Sequence, residues 1–195
     1  MRCFFKGLFL IILVYYLPAC NNTSETDDPG KNNESTQGLE IESVEEANKG
    51  KDIPKAVTEF TVEAFLNSMT GIELSKLALK NASDNRVKIL AQNILTDHGL
   101  IYRKLDELAK RKTITLPIVM DKKHQDFYEK LNETESHKFN RQFIDLIVES
   151  SEDNIQLYEK AINDVEDAEL NALINKTLSK LKQHVQTAKT LNQIK

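Results

Sequence analysis

The spacing of hydrophobic residues from position 52 onward is that of long amphipathic helices. Apolar side chains recur every three or four residues, and no stretch alternates convincingly with the two-residue period of a strand. The pattern predicts four long helices, over residues 52–81, 83–112, 134–164 and 167–193. Helices that each carry one apolar face bury that face against one another, so residues 52–195 are predicted to form an all-α four-helix bundle.

The connections between the predicted helices differ in length. Two or three residues join the first helix to the second and the third to the fourth, so each pair is expected to be an antiparallel hairpin. Residues 113–133 separate the second helix from the third and include a predicted short helix over 121–131. At about 3.3 Å per residue, this segment can span a helix of about 40 Å. The pattern permits one long crossover, and it equally permits a packed loop between neighbours.

Composition excludes several other classes of protein. Glycine (6) and proline (4) are scarce among 195 residues, which disfavours a β-sandwich or barrel because such folds need frequent turns. Both cysteines lie among the first 20 residues, so a disulfide scaffold or a zinc finger is excluded. A net charge of −4 disfavours a nucleic-acid partner. No glycine-rich phosphate loop or His-Glu-x-x-His motif occurs, which favours a non-enzymatic protein.

Residues 1–19 have the pattern of a bacterial signal peptide. A short basic start precedes an apolar run of about ten residues, which is shorter than a membrane-spanning helix. The sequence Leu17-Pro18-Ala19-Cys20 then resembles a lipobox, in which the cysteine receives a diacylglyceryl group before cleavage. We therefore predict lipid attachment at Cys20 and a membrane as partner through that anchor. The alternative is an ordinary signal peptide with an incidental cysteine.

The segment that follows Cys20 is acidic and almost free of apolar side chains. Residues 21–51 contain eight acidic residues and three lysines. Such a composition does not bury enough surface to offset the entropy lost on ordering, so residues 20–51 are predicted to be a disordered tether. Asparagine, not aspartate, follows the cysteine, which favours the outer membrane over retention at the inner membrane.

Four polar residues on the predicted helices are the candidate functional side chains. His98 and His184 lie on the core-facing stripes of the second and fourth helices, near the middle of each. Asp97 precedes the first histidine, and Glu73 lies at the edge of the core face of the first helix. Two imidazoles and a carboxylate at one level would suit a single Zn, Cu or Fe ion.

The favoured alternative is a structural polar layer that needs no cofactor. A buried imidazole requires hydrogen-bond partners, and Ser150 and Ser151 of the third helix are available at mid-bundle. We expect both core histidines to be buried and to lie within about 10 Å of each other. Leucine, not glutamate, stands three residues before each of them, which disfavours a ferritin-type di-iron site. His124 and His137, in or beside the crossover, are expected to be solvated.

Several short motifs are similar to those of one known family. They are Met69–Ala78 (MTGIELSKLA), Val87-Lys88, Asp97-His98, Leu116-Pro117 and Leu181–His184 (LKQH). Through them, residues 60–191 resemble a bacterial family of uncharacterised ferritin-like proteins that are often labelled as outer-membrane proteins. The resemblance implies a ferritin-like helical bundle with a domain of unknown function, and it implies no particular activity.

The chain departs from that family's pattern at two of its polar positions. The family has a glutamate where this chain has Gly71, and an Asp-His pair where it has Ser150-Ser151. It keeps Asp97, His98 and His184. If the family's polar set binds metal, the resemblance implies that this chain has lost part of the site.

Taken together, these patterns predict a cell-envelope lipoprotein at the outer membrane. Its helical bundle is expected to act as a non-enzymatic binding or stress-related module, for a protein or small-molecule partner that the sequence does not identify. The alternative function is a metal-binding or redox bundle that uses His98 and His184.

Overall fold

The computed structural model describes residues 35–193, with side chains from residue 41 onward. This part of the chain forms six helices and no strand: α1 Ser35–Asn48, α2 Lys55–Asn81, α3 Asn85–Lys112, α4 Lys122–Asn132, α5 Ser136–Asp164 and α6 Ala168–Gln193. The four long predicted helices correspond to α2, α3, α5 and α6, and the predicted short helix to α4. The all-α prediction is confirmed. The predicted signal peptide and Cys20 lie outside the described residues.

An aspartate side chain caps the N-terminus of three of the helices. Oxygens of Asp84, Asp121 and Asp167 accept hydrogen bonds at 2.8–2.9 Å from backbone N–H groups two or three residues later. These N–H groups have no partner within the helix, so an aspartate at this position stabilises the helix start by about 1 kcal/mol. The caps fix where α3, α4 and α6 begin after their connections.

Helix α5 lies antiparallel to α2. Near one end of the bundle the ring of Phe60 meets that of Tyr158 edge to face, with centroids 4.9 Å apart. At the other end, the side-chain oxygen of Asn140 accepts a hydrogen bond from the backbone N–H of Ser83. Residues early in α2 therefore contact residues late in α5.

Helix α6 in turn lies antiparallel to α3. Asp97, in the middle of α3, contacts His184 in the second half of α6. Arg111, near the end of α3, forms an ion pair with Glu169 at the start of α6. The neighbouring pairs of long helices are α2–α3, α3–α6, α6–α5 and α5–α2. Helices α3 and α5 stand diagonally opposite and run in the same direction.

This arrangement requires a crossover along the bundle. Because α3 and α5 run in the same direction, residues 113–135 return the chain from the end of α3 to the opposite end. Helix α4 lies within this crossover and packs against α2 and α5, with Leu131 fully buried. Of the two alternatives that the sequence left open, the structure has the single long crossover.

Helix α1 occupies part of the segment predicted to be disordered. Val44 is 5% exposed. The side chain of Asn48 forms two hydrogen bonds with the backbone of Thr115, at 2.8 and 2.9 Å. The tether prediction is therefore wrong for Ser35–Asn48. The buried side chain of Val44 and the hydrogen bonds of Asn48 to the crossover attach this segment to the bundle. The composition of the segment does not predict these contacts.

The core consists of two apolar clusters, one toward each end of the bundle. Phe65, Leu105 and Ile174 belong to the first, and Leu74, Phe143 and Leu146 to the second. Between them lies a band of buried polar residues. Within residues 35–193, no helix is long and apolar enough to cross a membrane.

Candidate functional site

A layer of buried polar side chains crosses the middle of the bundle, between the two apolar clusters. Every long helix contributes to it. Its members are Asn67, Ser68, Thr70 and Ser75 of α2, His98 of α3, Ser151 and Asn154 of α5, and His184 of α6. Two of the hydroxyls, those of Ser68 and Thr70, donate to backbone carbonyls four residues earlier and so are paired within their own helix.

The two predicted histidines lie together at the centre of this layer. His98 and His184 are 4% and 3% exposed, and their ring centroids are 6.0 Å apart with planes inclined by 23°. Nε2 of His184 lies 3.0 Å from a carboxylate oxygen of Asp97, whose other oxygen lies 3.6 Å from Nζ of Lys180. The predicted burial and proximity of the histidines are confirmed, and Asp97 links one of them to the surface.

Both rings are held in the neutral form. Burial lowers the pKa of His98 from 6.5 to about 4, and the charge of His184 acts in the same direction. Asp97 and a backbone hydrogen bond with Asn67 oppose that shift. Burial also lowers the pKa of His184, against the hydrogen bond and charge of Asp97. At both rings, burial therefore lowers the pKa more than the nearby carboxylate of Asp97 raises it.

The hydrogen-bond partners determine which ring nitrogen carries the proton. Carboxylate and carbonyl oxygens only accept, so the nitrogens that face Asp97 and Asn67 are the donors. Among the described residues, Nδ1 of His98 and Nδ1 of His184 have no hydrogen-bond partner. Each Nδ1 atom therefore carries a buried lone pair that can accept one more hydrogen bond or bind a cation.

Gly71 makes room for the His98 ring. A Cβ atom at position 71 would lie 2.5 Å from Nδ1 of His98 and 2.7 Å from Cγ and Cε1. The imidazole thus fills the space in which any other residue of α2 would place its side chain.

Glu73 does not join the histidines. It lies two residues beyond Gly71, about 200° around the helix, and forms an ion pair with Lys76 at 2.6 Å. The expectation that Glu73 completes the site is therefore wrong, because its position faces away from α3. No three or more His, Cys, Asp or Glu residues of the described chain form a group that could hold a metal ion.

The two serines of α5 differ in position. Ser151 is buried within the polar layer, as expected, whereas Ser150 is only half-buried at its edge. The predicted serine pair thus contributes one residue to the layer. Asn154, one turn further along α5, is a second buried member of the layer, and it is not among the predicted residues.

His124 is buried, although its place in the crossover predicts a solvated ring. It is 1% exposed, and its ring nitrogens face an oxygen of Asp121 at 2.5 Å and the side-chain oxygen of Asn67 at 3.2 Å. That expectation is wrong because α4 packs on α2, which turns its first helical turn inward. His137 is exposed, as expected.

Asn67 connects the two histidine groups. Its backbone forms a hydrogen bond with His98, and its side-chain oxygen faces His124. The polar contacts thus run from Asp97 and His184 through α2 to the crossover helix α4. One residue of α2 therefore contacts a histidine of α3 through its backbone and a histidine of α4 through its side chain.

A groove of about 310 Å³ runs along the outside of α3 and α6. It extends from Asp97 and Lys180 at the level of the polar layer to Leu108 and Glu169 near the end of α3. Its floor is apolar and includes Leu170. This groove is open to solvent, unlike the buried histidines.

The fold and the site define an all-α four-helix bundle with a single crossover and a buried polar layer. A family described as "Domain of unknown function (DUF4142)" matches residues 42–191. The chain belongs to this family, which confirms the resemblance at the level of a family of unknown function. No curated protein matches the chain.

A solved structure is similar in fold. It is the crystal structure of a DUF305 fragment from Deinococcus radiodurans, with a TM-score of 0.64 and 12% sequence identity. The similarity covers 70% of this chain and 95% of that one. At this identity, it shows the arrangement of helices and nothing about activity.

Gly71→Ala should destabilise the protein. The new methyl group would displace the His98 ring within a closed core, at a cost of about 1–3 kcal/mol that exceeds the gain of up to about 1 kcal/mol from replacing a helical glycine. Gly99→Ala is the matched control, because its Cβ would meet only a guanidinium nitrogen of Arg103 at 3.7 Å. Urea denaturation should show a loss for the first variant and none for the second. Equal effects would contradict the packing of His98 on Gly71.

The free energy of unfolding should fall as the pH drops from about 6.5 toward 4. His98 binds a proton more readily in the unfolded chain, so acid favours unfolding by about 2 kcal/mol between pH 7.5 and pH 5. His184, whose pKa is also lowered, acts in the same direction. Melts at both pH values should show a smaller difference for a His98→Gln, His184→Gln double variant than for wild type. His137→Gln, which alters an exposed ring, should retain the full difference.

Proposed function

We propose that the protein is a non-enzymatic binding module of the bacterial cell envelope, attached to the outer membrane by lipid on Cys20. One observation carries the binding role: the reactive side chains and the accessible surface are separate. His98, His184 and His124 are 1–4% exposed, whereas the groove between α3 and α6 opens to solvent. A catalytic group has to touch its substrate, and sealed imidazoles do not. A solvent-facing apolar groove supports binding.

The membrane attachment rests on the sequence Leu17-Pro18-Ala19-Cys20. A thiol at this point of a signal peptide is where a diacylglyceryl group is added, and a further acyl chain on the new N-terminus brings the anchor to three chains, which gives stable anchoring. The ferritin-like label of the resembling family is compatible with the single-crossover topology.

Cys20→Ala should abolish labelling by radioactive palmitate and release the protein from the outer-membrane fraction. Cys3→Ala is a matched control, since this cysteine lies within the predicted signal peptide and is removed on maturation. It should leave labelling and fractionation unchanged. Retention of the Cys20→Ala variant in the outer membrane would show that the anchor assignment is wrong.

The second candidate is a metal-binding or redox bundle that uses His98 and His184. It is favoured by the unpartnered Nδ1 atoms, and by Asp97, which holds the far nitrogen of His184 as carboxylates do behind metal-binding histidines. It ranks second because Nδ1 of His98 packs against Gly71, so the ring would have to turn before it could bind an ion.

Elemental analysis of protein purified without chelator separates the two candidates. We expect less than stoichiometric Zn, Cu and Fe, because no three or more His, Cys, Asp or Glu side chains of the described residues are grouped so that they could hold an ion. Stoichiometric metal that is lost in His98→Ala and retained in His137→Ala would make the metal-binding function the correct one. The second variant controls for adventitious binding by a surface imidazole.

A further inference from the structure

The groove between α3 and α6 is long and narrow. It extends over Asp97–Leu108 of α3 and Glu169–Lys180 of α6, which is eleven helical steps or about 16 Å on each helix. Its volume is about 310 Å³. An elongated groove of this size with an apolar lining can hold an extended alkyl chain along its length.

Apolar side chains line most of the groove and are incompletely covered. Leu170, Ile101 and Leu108 form its buried floor, while Leu100 is 37% exposed and Leu173 is half-buried on the two sides. Helices α3 and α6 are the least closely packed of the four neighbouring pairs. An alkyl chain laid along the groove would cover these leucines and gain about 25 cal/mol for each Å² of apolar surface removed from water.

The charges around the groove favour an anionic head group. Glu169 is paired with Arg111, and Lys104 with Glu107. Asp97 is engaged by His184 and Lys180. Within the described residues, Lys176 lines the groove, is exposed and has no ion-pair partner within 4 Å. The uncompensated charge of the groove is therefore positive. Lys180 lies one turn away on the same side of α6.

We propose that this groove binds a medium-chain fatty carboxylate. The carboxylate lies between Lys176 and Lys180 of α6, and the alkyl chain extends over Leu173 and Leu170 toward Leu108. The head group stays on the α6 side because Asp97 carries a negative charge on the α3 side. This inference rests on the proposed binding function and gives that function a site and a class of ligand.

Photo-crosslinking of the full chain in isolated membranes tests the site. The probe is dodecanoate with a diazirine on its alkyl chain, and the modified peptides are mapped by mass spectrometry. We expect saturable labelling of peptides from α3 and α6 that line the groove. Unlabelled dodecanoate should compete, whereas dodecyltrimethylammonium, which has the same chain and the opposite charge, should compete poorly. Equal competition by the cation would overturn the assignment of the head group.

Two surface variants test the role of the free lysine. Lys176→Glu should reduce labelling at low probe concentration about tenfold, because a charge-assisted contact is replaced by repulsion. Lys80→Glu is the matched control, since Lys80 is also an exposed lysine of a long helix with no ion pair in the described structure, and it lies outside the groove. It should leave labelling unchanged. Equal labelling of the two variants would overturn the proposal.

A different labelling position separates this inference from the proposed function. A wider groove of about 1170 Å³ lies beneath α1, bordered by residues such as Val62 and Leu157. Saturable labelling confined to those peptides would overturn the α3–α6 site and leave a binding module in place. Stoichiometric metal in the purified protein would instead overturn the proposed function, whatever the labelling pattern.

Discussion

The hydrogen bond between His184 of α6 and Asp97 of α3 sets the level at which the two helical hairpins meet. It joins the α2–α3 hairpin to the α5–α6 hairpin at mid-bundle. A slide of one helical turn, about 5.4 Å, would separate imidazole from carboxylate and leave both with fewer partners in a region poor in water. Leucine contacts tolerate such a slide better, because one leucine can pack against the next. The register of the bundle therefore depends more on this pair than on the apolar clusters.

The same burial constrains the residues around the pair. Gly71 helps to enclose the neutral ring of His98, because it lets α2 approach that ring directly. Asn67 then offers its backbone to His98 and its side chain to His124, so the crossover helix is tied to the same layer. A larger residue at position 71 would disturb contacts on α2, α3 and α4 together.

Features governed by local periodicity could be predicted from the sequence, and features governed by distant partners could not. The apolar stripes of α2, α3, α5 and α6 and the burial of His98 and His184 follow from three- and four-residue spacing. Helix α1 does not, because its contacts depend on Val44 and on an amide that pairs with a residue 67 positions later. His124 was misplaced for the same reason: its burial is decided by where α4 packs, not by its neighbours in sequence.

The polar layer and the open groove meet at Asp97. His184 requires a carboxylate at this point, and that carboxylate keeps α3 and α6 joined by polar side chains rather than by interlocking leucines. Between this level and Leu108, the groove leaves Leu100 partly exposed. Closer packing would bury more apolar surface at about 25 cal/mol per Å². Along this side of the bundle the chain lacks the stabilisation that closer packing would give. Such departures from optimal packing are common at functional sites.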